Sequence, residues 1–85
     1  MRKITIDCTG IETPRQLHRA FADALSFPEW YGNNLDALHD LLCAICEETE
    51  ITLLSFSSLP RFSFGFRAVL NDAEEEKSCL YIHIQ

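Results

Sequence analysis

The chain has 85 residues, enough for one small domain over residues 1–85 and too few for a second core. Its 47% hydrophobic and 24% charged residues match folded globular proteins and exclude disordered, collagen-like and coiled-coil classes. Seven Lys and Arg against thirteen Asp and Glu leave a net charge of −6, which argues against binding nucleic acid through its phosphates. The charge is uneven. Between Ala20 and Pro60 there is no Lys or Arg, and Asp23, Glu29, Asp36, Asp40, Glu47, Glu48 and Glu50 give a local −7, against +1 for the flanks with seven bases and six acids. Such a block suggests a basic partner or a bound cation, and the simpler account is a solvated face. No apolar run approaches the roughly 18 residues of a membrane span, and residues 1–10 lack the apolar centre of a signal peptide. A cytoplasmic protein with four reduced cysteines and no membrane contact is expected.

In chain order, Arg2 to Cys8 alternates, with Ile4, Ile6 and Cys8 on one side, and reads as a strand with one buried face. Thr13-Pro14-Arg15-Gln16 carries a capping threonine, a proline at the first helical position and the glutamine of a capping box. Leu17, Ala20, Phe21, Ala24 and Leu25 then form one apolar stripe, with His18 expected to face solvent. Pro28 and Gly32 break the pattern, and Asn33 or Asn34 can cap a second helix from Leu35 to Glu47. The apolar run Ile51 to Phe56 predicts a strand buried on both sides or at the centre of the sheet. After a loop or short helical turn, a third helix uses Phe62, Phe66, Val69, Leu70 and Ala73 as its stripe. It ends on Glu74 to Glu76, acids that oppose the helix dipole and should fray it. Cys79 to Ile84 closes the chain as an alternating strand, with His83 away from the apolar side. Strand, two helices, strand, helix, strand predicts a two-layer α/β fold with a three-stranded parallel sheet. The alternating outer strands favour order 1-2-3 with every helix on one face over order 2-1-3 with both faces covered.

On a helical wheel, Leu35, Leu38, Leu41, Leu42 and Ile45 gather on one side of the second helix, and Asp36, Asp40, Cys43 and Glu47 on the other. Asp36 lies in the first turn, where the dipole favours an anion. Asp40 has no such support. At i+4 from Asp36 it costs about 0.2–0.5 kcal/mol, and no base on the helix relieves it. Next to the aromatics Trp30 and Tyr31, this face looks like an anionic recognition site with aromatic anchors.

The run from Phe27 through Pro28-Glu29-Trp30-Tyr31-Gly32-Asn33-Asn34-Leu35-Asp36-Ala37-Leu38-His39 to Asp40 closely resembles the loop and second helix of the barstar family. Weaker agreement extends over the whole chain. The resemblance implies a two-layer fold and an intracellular inhibitor, or antitoxin, whose loop and second helix plug a barnase-like guanyl-specific ribonuclease. Carried over by position, Asp40 would be the principal phosphate mimic, Asp36 a second charge contact and Trp30 the aromatic at the rim of the cleft, facing out while Tyr31 packs inward. Gly32 and Asn34 would shape the loop and add polar contacts, and Asp72 would be a late acidic contact, matched only with a shifted gap. The family has tyrosine where this chain has Trp30 and tryptophan where it has His39, and Cys43 and Ile45 also replace partner-facing residues. The implied partner is a basic, extracellular ribonuclease or nuclease toxin, with the free chain a monomer and no cofactor.

Two other readings compete. His39, Cys43 and Cys46 share one side of the second helix and could hold a metal or act in redox chemistry as a CxxC. The motif lies inside the helix and leaves a fourth ligand unnamed, so packing thiols are preferred and no metal site is assigned. An enzyme could recruit His18, His39 or His83 with a cysteine, or the Asp36 and Asp40 carboxylates. Nothing places the histidines near a nucleophile, a convex helix offers no cleft for the carboxylates, and catalysis is not expected. Phe62, Phe64 and Phe66 read as core and loop packing, since only Arg61 and Arg67 lie near them to support nucleic-acid stacking.

Overall fold

A computed structural model describes residues 1–85. Strand β1 (Arg2–Asp7) leads through helices α1 (Pro14–Leu25) and α2 (Leu35–Cys43) to β2 (Thr49–Leu54). A 3₁₀ turn (Phe56–Ser58), α3 (Ser63–Glu76) and β3 (Leu80–Ile84) complete the chain. The strands form one parallel sheet in the order β1-β2-β3. Its register puts Ile4, Ile51 and Ile82 in one row and Ile6, Leu53 and Ile84 in the next. Neighbouring residues of a strand point to opposite faces, so these rows define the apolar face. The other face carries Lys3, Glu50 and Tyr81, then Thr5, Thr52 and His83, none of them buried. There Glu50 Oε2 and His83 Nε2 pair at 3.2 Å. One apolar and one wet face is the two-layer arrangement that a 1-2-3 order with right-handed crossovers produces. The central strand alternates too: Thr49, Ile51 and Leu53 are buried while Glu50, Thr52 and Leu54 are not. Its apolar run therefore marks the centre of the sheet and not burial on both faces.

Helix α1 begins where the capping box predicts. Thr13 Oγ1 accepts the Gln16 N–H at 3.2 Å, and Gln16 Oε1 accepts the Thr13 N–H at 3.1 Å. Leu17, Phe21 and Leu25 enter a core of fifteen buried apolar residues shared by all three helices and the sheet. His18 joins them, which corrects its expected exposure: it is 4% exposed. The spacing explains the correction, because His18, Phe21 and Leu25 lie at i, i+3 and i+7 and so share a face.

Helix α2 starts on the Asn34 cap but stops at Cys43, four residues before the expected Glu47. The Ala44 N–H reaches the carbonyls of both Asp40 (3.1 Å) and Leu41 (3.3 Å), and Ile45 N–H takes that of Leu42 at 3.2 Å. The last turn thus tightens toward 3₁₀ bonding, a common helix ending. The sheet claims the next stretch of backbone: Glu48 C=O accepts the Arg2 N–H at 2.9 Å and Thr49 N–H donates to Cys79 C=O at 2.8 Å. Cys46 and Glu47 consequently leave the helical face; Glu47 pairs with Arg2 at 3.4 Å.

In α3, Ser63, Phe66, Leu70 and Ala73 are buried, and Phe64 is 67% exposed, against its expected packing role. Phe64 falls one position off the buried i, i+3, i+7, i+10 row. The acidic end does not fray: α3 runs through Glu76, and Glu74 Oε2 accepts the Ile82 N–H of β3 at 2.6 Å. That bond fastens the last turn to the sheet and offsets the adverse dipole. All four cysteines are free thiols, and no helix is long and apolar enough to cross a membrane.

Candidate partner-binding face

The loop between α1 and α2 is set by backbone geometry. Ser26 ends α1 in the left-handed region (φ 57°), and Phe27 N–H reaches back to the Ala22 carbonyl at 2.9 Å. Tyr31 N–H then closes a turn on the Pro28 carbonyl at 3.0 Å. The turn sends the two adjacent aromatics in opposite directions. Tyr31 is 7% exposed, packed on Phe27 with ring centroids 5.0 Å apart, and its hydroxyl lies 2.6 Å from His18 Nδ1. Burial pushes the Tyr31 phenol up to about 12 and holds the His18 imidazole below its ordinary value, so both are neutral near pH 7. Trp30 is 73% exposed, as expected for the outward aromatic.

Asn34 joins loop to helix. Its Oδ1 accepts the Ala37 N–H at 2.8 Å, the N-cap bond of α2, while its Nδ2 donates to the Gly32 carbonyl at 3.4 Å. Gly32 is small for a reason: a Cβ there would sit 2.8 Å from Asn34 Nδ2 and disturb the cap.

On α2, Asp36 and Asp40 are exposed, and His39 and Cys43 are half-buried. With α3 they form an open hollow in which Leu35 and Val69 meet Asp36, His39, Asp40, Asp72 and Glu76, without a single Lys or Arg. Gly65 faces Leu35 where the helices meet, and a Cβ there would lie 2.9 Å from Leu35 Cδ1. Four of the expected residues (Asp36, His39, Asp40 and Asp72) thus share one hollow, which also fixes the face that Asp72 takes. Cys43 borders His39. Trp30, Gly32 and Asn34 belong to the loop before the helix, Asn34 alone being tied into it by a hydrogen bond.

Two features escaped sequence reading. Glu76 reaches α2: Cys43 S–H donates to its Oε2 at 3.3 Å, and His39 Nε2 lies 3.6 Å from the same oxygen. The signal was its i+4 position after Asp72, which places both on one face of α3. The His18–Tyr31 bond was the other. Burial, then the Glu76 hydrogen bond and charge, push the Cys43 thiol up, with Asp40 adding and Lys77 opposing. A protonated Cys43 is a poor nucleophile, and Cys46 S–H donates elsewhere, to Ala44 C=O at 3.4 Å.

A parallel three-stranded sheet in the order 1-2-3 under helices, with an acidic hollow where the second helix meets the third, fits the barstar class. A family model described as Barstar (barnase inhibitor) matches residues 1–80, and the chain belongs to the barstar family. Among individual proteins, "Putative ribonuclease inhibitor YrdF" of Bacillus subtilis (strain 168) is 52% identical over 42 residues. That match covers 49% of this chain and 46% of YrdF, so the chain matches about half the length of this relative.

Proposed function

We propose that the chain is a protein inhibitor, not an enzyme, and that it blocks a barnase-like ribonuclease or related nuclease toxin as an immunity-type antitoxin in the cytoplasm. The observation that carries this reading is the hollow on α2 and α3, where Asp36, Asp40, Asp72 and Glu76 gather around His39 with no Lys or Arg in its lining. A ribonuclease cleft holds phosphates with Arg, Lys and His, and carboxylates set where phosphates would lie satisfy the same donors. Asp40 is the principal phosphate mimic, flanked by Asp36 and Asp72. His39 and Cys43 shape the middle of the contact, and Trp30 packs at its rim, with Gly32 and Asn34 holding the loop in place. The exposed indole supports that role, because a solvent-facing Trp is a strong anchor when a partner covers it. The partner is a basic protein, the free chain is a monomer, and RNA itself is not bound.

The test is inhibition of a panel of barnase-type ribonucleases by the parent and by Asp40→Ala. The parent inhibits at least one, and Asp40→Ala weakens binding by about tenfold or more, the loss of one charge-assisted hydrogen bond. An untouched panel, or an Asp40→Ala variant that binds as tightly as the parent, defeats the reading. Capture of a basic protein without nuclease activity on the same face would favour a general acidic interaction module instead.

A further inference from the structure

We propose that His39, Cys43 and Glu76 form a site for a zinc-class divalent cation at the junction of α2 and α3. The three side chains offer an imidazole nitrogen, a sulfur and a carboxylate oxygen within 4.8 Å of one another. His39 and Cys43 stand at i and i+4 on one helix, the spacing that brings two ligands onto one face, and Glu76 arrives from the last turn of the other. The distances fit a single metal. Zinc bonds of about 2.3 Å to sulfur and about 2.0 Å to nitrogen and oxygen, at tetrahedral angles, require S···N and S···O near 3.5 Å and N···O near 3.3 Å. The observed separations are 3.7 Å for Cys43 Sγ to His39 Nε2, 3.3 Å for Cys43 Sγ to Glu76 Oε2 and 3.6 Å for His39 Nε2 to Glu76 Oε2. Each edge agrees to within about 0.3 Å; Sγ also lies 3.9 Å from Nδ1, so the imidazole must turn to aim Nε2 at the shared centre, a side-chain rotation that moves no helix.

The donor set selects the metal. Calcium and magnesium take oxygen ligands, so a site with sulfur and imidazole is not theirs. A lone soft cation would not favour the Glu76 oxygen, whereas zinc and cobalt(II) accept all three donors. Glu76 is largely exposed and His39 partly so, which leaves the fourth position to water and gives the ion a route in. Asp36, Asp40 and Asp72 line the adjoining hollow and attract a cation. On coordination the sulfur gives up its proton to solvent and the bond from Cys43 to Glu76 is replaced by two metal bonds; no electron is transferred. As isolated contacts, these three are a thiol–imidazole contact, a weak thiol hydrogen bond and an exposed histidine–carboxylate pair, which contribute little to stability. Their common centre is what a metal site explains. It differs from the CxxC site considered from the sequence, because Cys46 lies beyond the end of α2 and plays no part.

The experiment is titration of the reduced full chain with cobalt(II) and with zinc(II) against a chromophoric chelator, with folding checked by far-UV circular dichroism. One equivalent is expected to bind. Cobalt should give the near-ultraviolet thiolate band and the intense red-region bands of a tetrahedral site. Cys43→Ser should abolish the thiolate band, and His39→Gln should weaken zinc binding by about tenfold or more, with a smaller loss for Glu76→Gln. Cys46→Ser should bind as the parent does. No binding by the folded parent at micromolar metal, a thiolate band that survives Cys43→Ser, or one lost in Cys46→Ser overturns the proposal. None of these readouts needs a nuclease, so the site and the inhibitory role fail or stand separately.

Discussion

Trp30 and Tyr31 are neighbours in the chain, yet one is core and the other solvent-facing, and the 2.6 Å contact of Tyr31 with His18 holds that division in place. The outward turn of Trp30 was legible from the resemblance. The partner of Tyr31 was not, because a histidine on an amphipathic helix reads as polar even when its spacing matches the buried stripe. The consequence is a pH dependence. Burial lowers the His18 pKa from 6.5 in the folded chain, so between that lowered value and 6.5 the unfolded chain holds more protons. Stability is therefore complete above about pH 6.5 and declines as pH falls toward the folded value, below which His18 adds no further loss. Urea midpoints measured at about pH 7.5 and about pH 5.5 should fall more in the parent than in His18→Gln. Equal falls in the two proteins would place the titrating group elsewhere.

At the scale of elements, helix starts were legible and one helix end was not. Thr13 with Gln16, and Asn34, write their capping bonds into local sequence, and both helices begin there. Nothing local stops α2 at Cys43: no glycine or proline follows, and the apolar periodicity continues to Ile45. The stop comes from the sheet, which pairs Glu48 and Thr49 with strands far away in sequence. This shortening removed Cys46 and Glu47 from the expected face and left His39 and Cys43 to meet Glu76. Asn34 carries the start of α2 and the shape of the loop together, so its loss should show in both. Asn34→Ala should cost about 1 kcal/mol, a fall of about 4–8 °C in the unfolding midpoint, while Asn34→Asp keeps the cap and most of the stability. Thermal unfolding followed by circular dichroism decides it, and an Asn34→Ala midpoint equal to that of the parent would remove the cap from the account.

For the whole molecule, the net −6 is less informative than its placement. The open face of the sheet is mixed, with Lys3 beside Glu50 and Glu50 paired to His83, and Glu47 is paired to Arg2. Asp36, Asp40 and Asp72 instead share a hollow where α2 meets α3 that no Lys or Arg lines, a juxtaposition no local pattern could reveal because Asp40 and Asp72 lie on separate helices. A one-signed hollow of this kind should act on a basic partner before contact, by raising the frequency of productive encounters. Salt shortens that reach, from about 10 Å at 0.1 M to about 3 Å at 1 M. Stopped-flow association with an inhibited ribonuclease should therefore slow several-fold across that range. Dissociation, governed by contacts already formed and shielded from solvent, should change much less. Asp36→Asn and Asp72→Asn should each flatten the salt dependence of the association rate, since each removes one charge from the same hollow. Association that is insensitive to salt in the parent would mean that the acidic face is a solvated surface, and that the partner is recognised through Trp30 and the loop alone.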